Sequence, residues 1–61
     1  MTRKDYKALA SALNYQWLSD KLSDIDSTTT IRSIAIRMCG VFAADNPRFD
    51  ADRFMAAVFT K

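Results

Sequence analysis

The stretch Asp45-Asn46-Pro47-Arg48-Phe49-Asp50-Ala51-Asp52-Arg53-Phe54 decides the fold. Proline pushes the residue before it out of helical geometry, so Asn46 ends whatever helix precedes it. Asp50 is then the N-cap of a new helix, because its short carboxylate can accept an orphan backbone N–H. Phe49 just before that cap and Phe54 just after it hold the two positions of a hydrophobic staple. A helix stop, a turn, a cap and a staple follow one another with no room for a strand.

Working back towards the N-terminus, Ile31, Ile34, Ala35, Met38, Val41 and Phe42 form an apolar stripe about 120° wide, the period of an amphipathic helix. Ile36 lies off it. Gly40 costs such a helix about 1 kcal/mol relative to Ala, so close helix packing is the expected reason for it. The run Ser23-Asp24-Ile25-Asp26-Ser27-Thr28-Thr29-Thr30 consists of cap and turn formers, and separates this helix from an earlier one. That first helix opens with Thr2 as N-cap and Asp5 three residues on, with Met1 and Tyr6 at its staple positions. Tyr6, Leu9, Leu13 and Trp17 make its main stripe. Tyr15, Leu18, Leu22 and Ile25 repeat at the same spacing on roughly the opposite side. No Gly or Pro breaks it near Asn14, so one continuous helix with two apolar faces is expected. Towards the C-terminus, Phe54, Met55, Val58 and Phe59 make a short amphipathic segment. No alternating pattern, repeat or low-complexity tract occurs. The sequence predicts one all-α domain over residues 1–61, three helices with a short third.

Composition narrows the chemistry. The 61 residues hold one Cys, no His, one Gly and one Pro. A single cysteine makes no internal disulfide, and without histidine it makes no structural zinc site. Folds below roughly 70 residues lean on such staples or on a partner chain, so self-association is expected. The same counts leave no histidine base and no glycine-rich phosphate loop, which points away from an enzyme and from any cofactor. Nine Lys and Arg against seven Asp give a mild net charge of +2. The longest uncharged run, Ala8 to Ser19, is too short and too polar to span a bilayer, and the free thiol fits a reducing, cytoplasmic setting.

Several constellations look chemical at first sight. Asp24 and Asp26 could open a calcium loop, but Thr29 and Ala35 stand where that loop needs Gly and Glu. Helix-boundary capping accounts for them better, and the same holds for Asp50 and Asp52 at the positive end of a helix dipole. Cys39 has no Lys or His neighbour in sequence to activate it, and reads as a small apolar residue. Arg3, Lys4 and Lys7 cluster beside Tyr6 and could touch phosphates. Opposed to that, the helix that would read DNA opens with Asp50 and Asp52. Trp17, Tyr15 and Leu18 form the aromatic cluster best suited to an interface, because three small helices have little surface to cover both sides of the first.

Two segments, Met1-Thr2-Arg3-Lys4-Asp5-Tyr6 and residues 45–57 with their Asn-Pro-Arg-Phe-Asp…Arg-Phe pattern, resemble a group of small uncharacterised phage and prophage proteins. The resemblance covers about a third of the chain. It implies a phage or prophage origin and work inside an infected bacterium, and brings no activity, cofactor or catalytic residue with it. The expected function is therefore binding: a phage-type accessory protein that docks on a bacterial protein, such as a defence or replication component, and inhibits it. Its partner surface is expected at Tyr15, Trp17, Leu18, Leu22, Ile25 and Arg37. One alternative is a DNA-binding regulator that uses Arg3, Lys4 and Lys7; another is a structural homo-oligomer.

Overall fold

The structure, a computed structural model, describes residues 2–61. Three helices follow in order: α1 Arg3–Leu22, α2 Thr28–Asp45 and α3 Ala51–Val58. They form an elongated body of 37 × 19 × 14 Å. Among the described residues there is no strand, and no helix is long and apolar enough to cross a membrane.

Local chemistry sets each boundary. At the start of α1 the Thr2 N–H donates to Asp5 Oδ2 at 3.0 Å, and the Asp5 N–H donates back to Thr2 Oγ1 at 3.4 Å. This is the expected capping box. The staple partner Met1 lies outside the described residues. The helix runs without a break through Asn14, as its lack of Gly and Pro predicts. It ends in a Schellman motif, with the Ile25 N–H on Asp20 O at 2.7 Å and the Asp24 N–H on Lys21 O at 3.1 Å. Asp24 takes the left-handed position, φ 60°, that glycine usually fills. The threonines after Ser27 are already helical, because α2 begins at Thr28. Asn46 ends α2 in extended geometry, and Asp50 Oδ1 accepts the Arg53 N–H at 3.0 Å to start α3.

The core consists of Ala10, Trp17, Ile31, Ala35, Phe42, Phe54 and Val58. The short α3 is its keystone: it packs most extensively on α1, less on α2, and α1 and α2 touch each other least. Phe42, Phe49 and Phe54 meet edge to face or tilted at centroid distances of 5.2–5.8 Å, and Tyr6 lies 5.0 Å from Phe42 and 4.8 Å from Phe49. The Phe49–Phe54 staple thus belongs to a four-ring cluster, an arrangement that adds to simple area burial. At the other end of α3 the Asn14 amide donates to Val58 O at 2.9 Å and to Thr60 O at 2.6 Å. Asn14, a polar residue in the middle of α1, thus caps the C-terminal end of α3.

Two expectations about α2 fail. Its buried face is Ile31, Ala35 and Phe42, flanked by Met38 and Cys39, while Ile34 and Val41 are exposed. The expected stripe is wider than the contact, because an eight-residue α3 and a brief touch with α1 cover only its centre. Gly40 marks no close packing either, since a Cβ there would meet nothing within 4 Å.

Candidate functional site

Trp17 is corrected first among the expected partner residues. It is 5% exposed and belongs to the core. The helical turn places it on the face of Ala10 and Leu13, and its indole N–H donates to Thr28 Oγ1 at 2.9 Å. Phe59 meets its ring edge-on at 5.0 Å, and Lys21 Nζ covers the ring at 4.3 Å. Every part of the side chain is used internally, so none is left to anchor a partner. Leu18 is half-buried against the same core.

The remaining expected residues stand outside. Tyr15 is 75% exposed, Leu22 is 91% exposed, and Ile25 is more than half exposed. Tyr15, Leu18 and Leu22 share one face of α1 by their spacing, and Ile25 follows just past its end. Arg37 is exposed on α2 between Ile34 and Val41, three residues after one and four before the other. That face was hidden in the sequence, because its two apolar members fit the core stripe.

The end of α1 and the entry to α2 form an acidic tip. Asp20, Asp24 and Asp26 lie here with a single lysine, Lys21. Asp20 accepts from Gln16 Nε2 at 2.8 Å. Asp26 accepts the Thr28 N–H at 3.1 Å, and the Thr28 side chain and backbone hydrogen bonds hold its carboxyl below the usual value. The N-cap Ser27 makes no cap hydrogen bond, and its hydroxyl is buried without a partner among the described residues.

A groove of about 590 Å³ opens at the other end of α1. Arg3 and Lys7 from α1, Arg48 from the turn and Arg53 from α3 form its rim. Tyr6, Phe49, Phe54 and the small Ala10 and Ala57 give it an apolar floor. Sequence reading found Arg3 and Lys7 but not Arg48 and Arg53, which only the packing of α3 on α1 brings alongside. Lys4, expected with them, does not line the groove. Among the described residues none of the four rim cations has an ion pair, side-chain hydrogen bond or ring contact within the chain. The Tyr6 hydroxyl beneath them is shielded from solvent and has no partner there either. The one acid in the lining, Asp50, is already engaged by the Arg53 N–H. Such a surface attracts anionic groups with an apolar portion.

Cys39 is half-buried beside the core, and burial pushes its thiol above the usual value, which disfavours the reactive thiolate. No protein-family model matches the chain, and no curated protein or solved structure matches it.

Proposed function

We propose that the chain is a small phage-type accessory protein that acts by binding rather than catalysis, docking on a bacterial host or defence protein in the cytoplasm and inhibiting it. One observation carries the reading: six large apolar side chains, Tyr15, Leu22, Ile25, Ile34, Ile36 and Val41, stand exposed beside a core of only seven residues. Folding gains nothing from leaving them in water, and exposed apolar surface on this scale is what interfaces use. The anchors on this reading are Tyr15 and Arg37, since binding energy concentrates in a few aromatic and arginine residues.

The test is capture of a partner from bacterial lysate, followed by quantitative binding. Tyr15→Ala or Arg37→Ala should weaken it at least tenfold (about 1.4 kcal/mol) while melting within about 1 kcal/mol of wild type. Charge reversal at Arg3, Lys4 and Lys7 should leave it intact. The second reading, a DNA-binding regulator, draws on the groove that sets Arg3 and Lys7 beside Arg48 and Arg53. It takes over if the charge reversals abolish a steeply salt-dependent DNA affinity and the Tyr15 and Arg37 variants change nothing.

A further inference from the structure

The two ends of α1 are complementary to each other. The groove presents four cations that have no side-chain partner among the described residues, above an apolar floor. Some 20 Å along the helix, the tip carries three carboxylates and one lysine around two apolar side chains, Leu22, which is 91% exposed, and Ile25, which is 54% exposed. The geometry of one chain forbids them to meet. A second copy has no such restriction. We infer that the tip of one copy seats in the groove of the next, Leu22 and Ile25 on the apolar floor and Asp24 and Asp26 facing Arg48 and Arg53, so that copies join head to tail. The inference rests on the reading of the chain as a protein binder and makes the chain its own partner.

Three features favour this occupant over nucleic acid. The floor rings Tyr6, Phe49 and Phe54 pack edge-on or tilted against one another and Phe54 is buried, so they serve the core cluster and do not stand free as stacking platforms for bases. Small residues, Ala10 and Ala57, leave a recess that suits an inserted side chain better than a flat base. The matching acidic, apolar-tipped ligand is also present on every molecule at the same concentration. A contact between two different surfaces is heterologous, so it builds chains or closed rings, not a two-fold dimer.

Two exposed-site variants separate the possibilities. Leu22→Lys with Ile25→Lys spoils the tip, and Arg48→Glu with Arg53→Glu spoils the groove; all four side chains lie outside the core, and melting curves verify that both variants fold. Sedimentation from about 10 to 500 µM should show wild-type mass rising with concentration and falling again in high salt. Each variant alone should stay monomeric. Mixed in equal amounts, they should form a dimer and stop there, since the mixture holds one good tip and one good groove. A wild type that is monomeric throughout overturns the inference. So does a mixture that fails to associate while wild type does, which is the mark of a two-fold apolar contact. A single-stranded oligonucleotide bound through Arg48 and Arg53 by a chain that stays monomeric overturns it as well. Loss of this association with Tyr15- and Arg37-dependent capture intact removes the inference alone and leaves the proposed function standing.

Discussion

The groove end and the tip end of this molecule are built to different standards. At the groove end the helix-building and packing devices are satisfied, namely the Thr2–Asp5 box, the Asp50 cap, and the ring cluster of Tyr6, Phe42, Phe49 and Phe54. The buried Tyr6 hydroxyl there lacks a partner among the described residues. At the tip, an aspartate occupies a glycine position, an N-cap serine caps nothing, and a leucine stands in water. Chains specify a fold when local choices agree with the global one, and departures concentrate where something other than folding sets the sequence. The groove end therefore holds the molecule together, and the tip is where it is shaped for something else. That division can be broken by experiment.

The largest expected effect separates the two ends directly. Phe42 sits among three other rings, and Phe42→Ala should cost about 3–5 kcal/mol. A core of this size rarely supplies more than about 3–5 kcal/mol in all, so the variant should be unfolded at 25 °C by circular dichroism. Leu22→Ala, measured on the dilute chain, should stay within about 0.5 kcal/mol of wild type. Equal losses at the two positions would make the tip part of the core.

The same division decides what could be read from the sequence. Helix number, order and the Asn46–Phe54 connection were legible because stop, cap and staple are local signals with fixed offsets. The long-range contacts were not. Asn14 looks like a weak point of α1 until α3 folds back and presents the Val58 and Thr60 carbonyls, over forty residues away in the chain. Trp17 fits both the main stripe and an interface until Thr28 and Phe59 arrive around it and settle it in the core. Ile34 and Val41 fit a core stripe because hydrophobic periodicity reports which face is apolar and not how much of it a short neighbour covers. For the site, the exposure of Tyr15, Leu22, Ile25 and Arg37 followed from their spacing, whereas Arg48 and Arg53 joined the groove only through tertiary packing.

Caps sharpen the comparison at a smaller scale. Asp50 holds the Arg53 N–H, and Asp50→Ala should cost about 1 kcal/mol in denaturant titration. Ser27 occupies the same position on α2 but makes no cap bond and buries its hydroxyl unpaired. Ser27→Ala should therefore be neutral or slightly stabilising, contrary to the usual cost of losing an N-cap serine. A loss of about 1 kcal/mol at Ser27 would show that α2 is capped after all.

Stabilising changes should be available away from the groove end. Gly40 is exposed in mid-helix with open space around its Cα, so Gly40→Ala should add somewhat under 1 kcal/mol. Asp24→Gly should add about 0.5 kcal/mol by relieving the left-handed backbone, less than the full penalty because aspartate tolerates that region better than most residues. Thermal melts of the single variants and the pair should show the gains adding, as for sites with no shared contacts. A destabilising Asp24→Gly would mean that the Asp24 side chain holds the tip in a way its backbone does not reveal.

The smallest effect is a pH dependence confined to the tip. Hydrogen bonds from the Thr28 hydroxyl and N–H, with a lesser attraction from Lys21, hold the Asp26 carboxyl below its ordinary value of 3.8. The ionised form is thus favoured by folding. Its contribution is fully present above the unfolded-state value, near pH 4, and is lost as pH falls through the lower folded-state value. Asp26→Asn keeps an oxygen for the Thr28 N–H but removes the titration. The difference in melting temperature between wild type and Asp26→Asn should be greatest near neutrality and should shrink as pH falls through the acid range. A difference that stays constant from pH 7 to pH 2.5 would mean that the Asp26–Thr28 turn does not discriminate between the two charge states. The Thr28 N–H would then be held equally well by the protonated and the ionised carboxyl, and the turn at the start of α2 would anchor the tip at any pH.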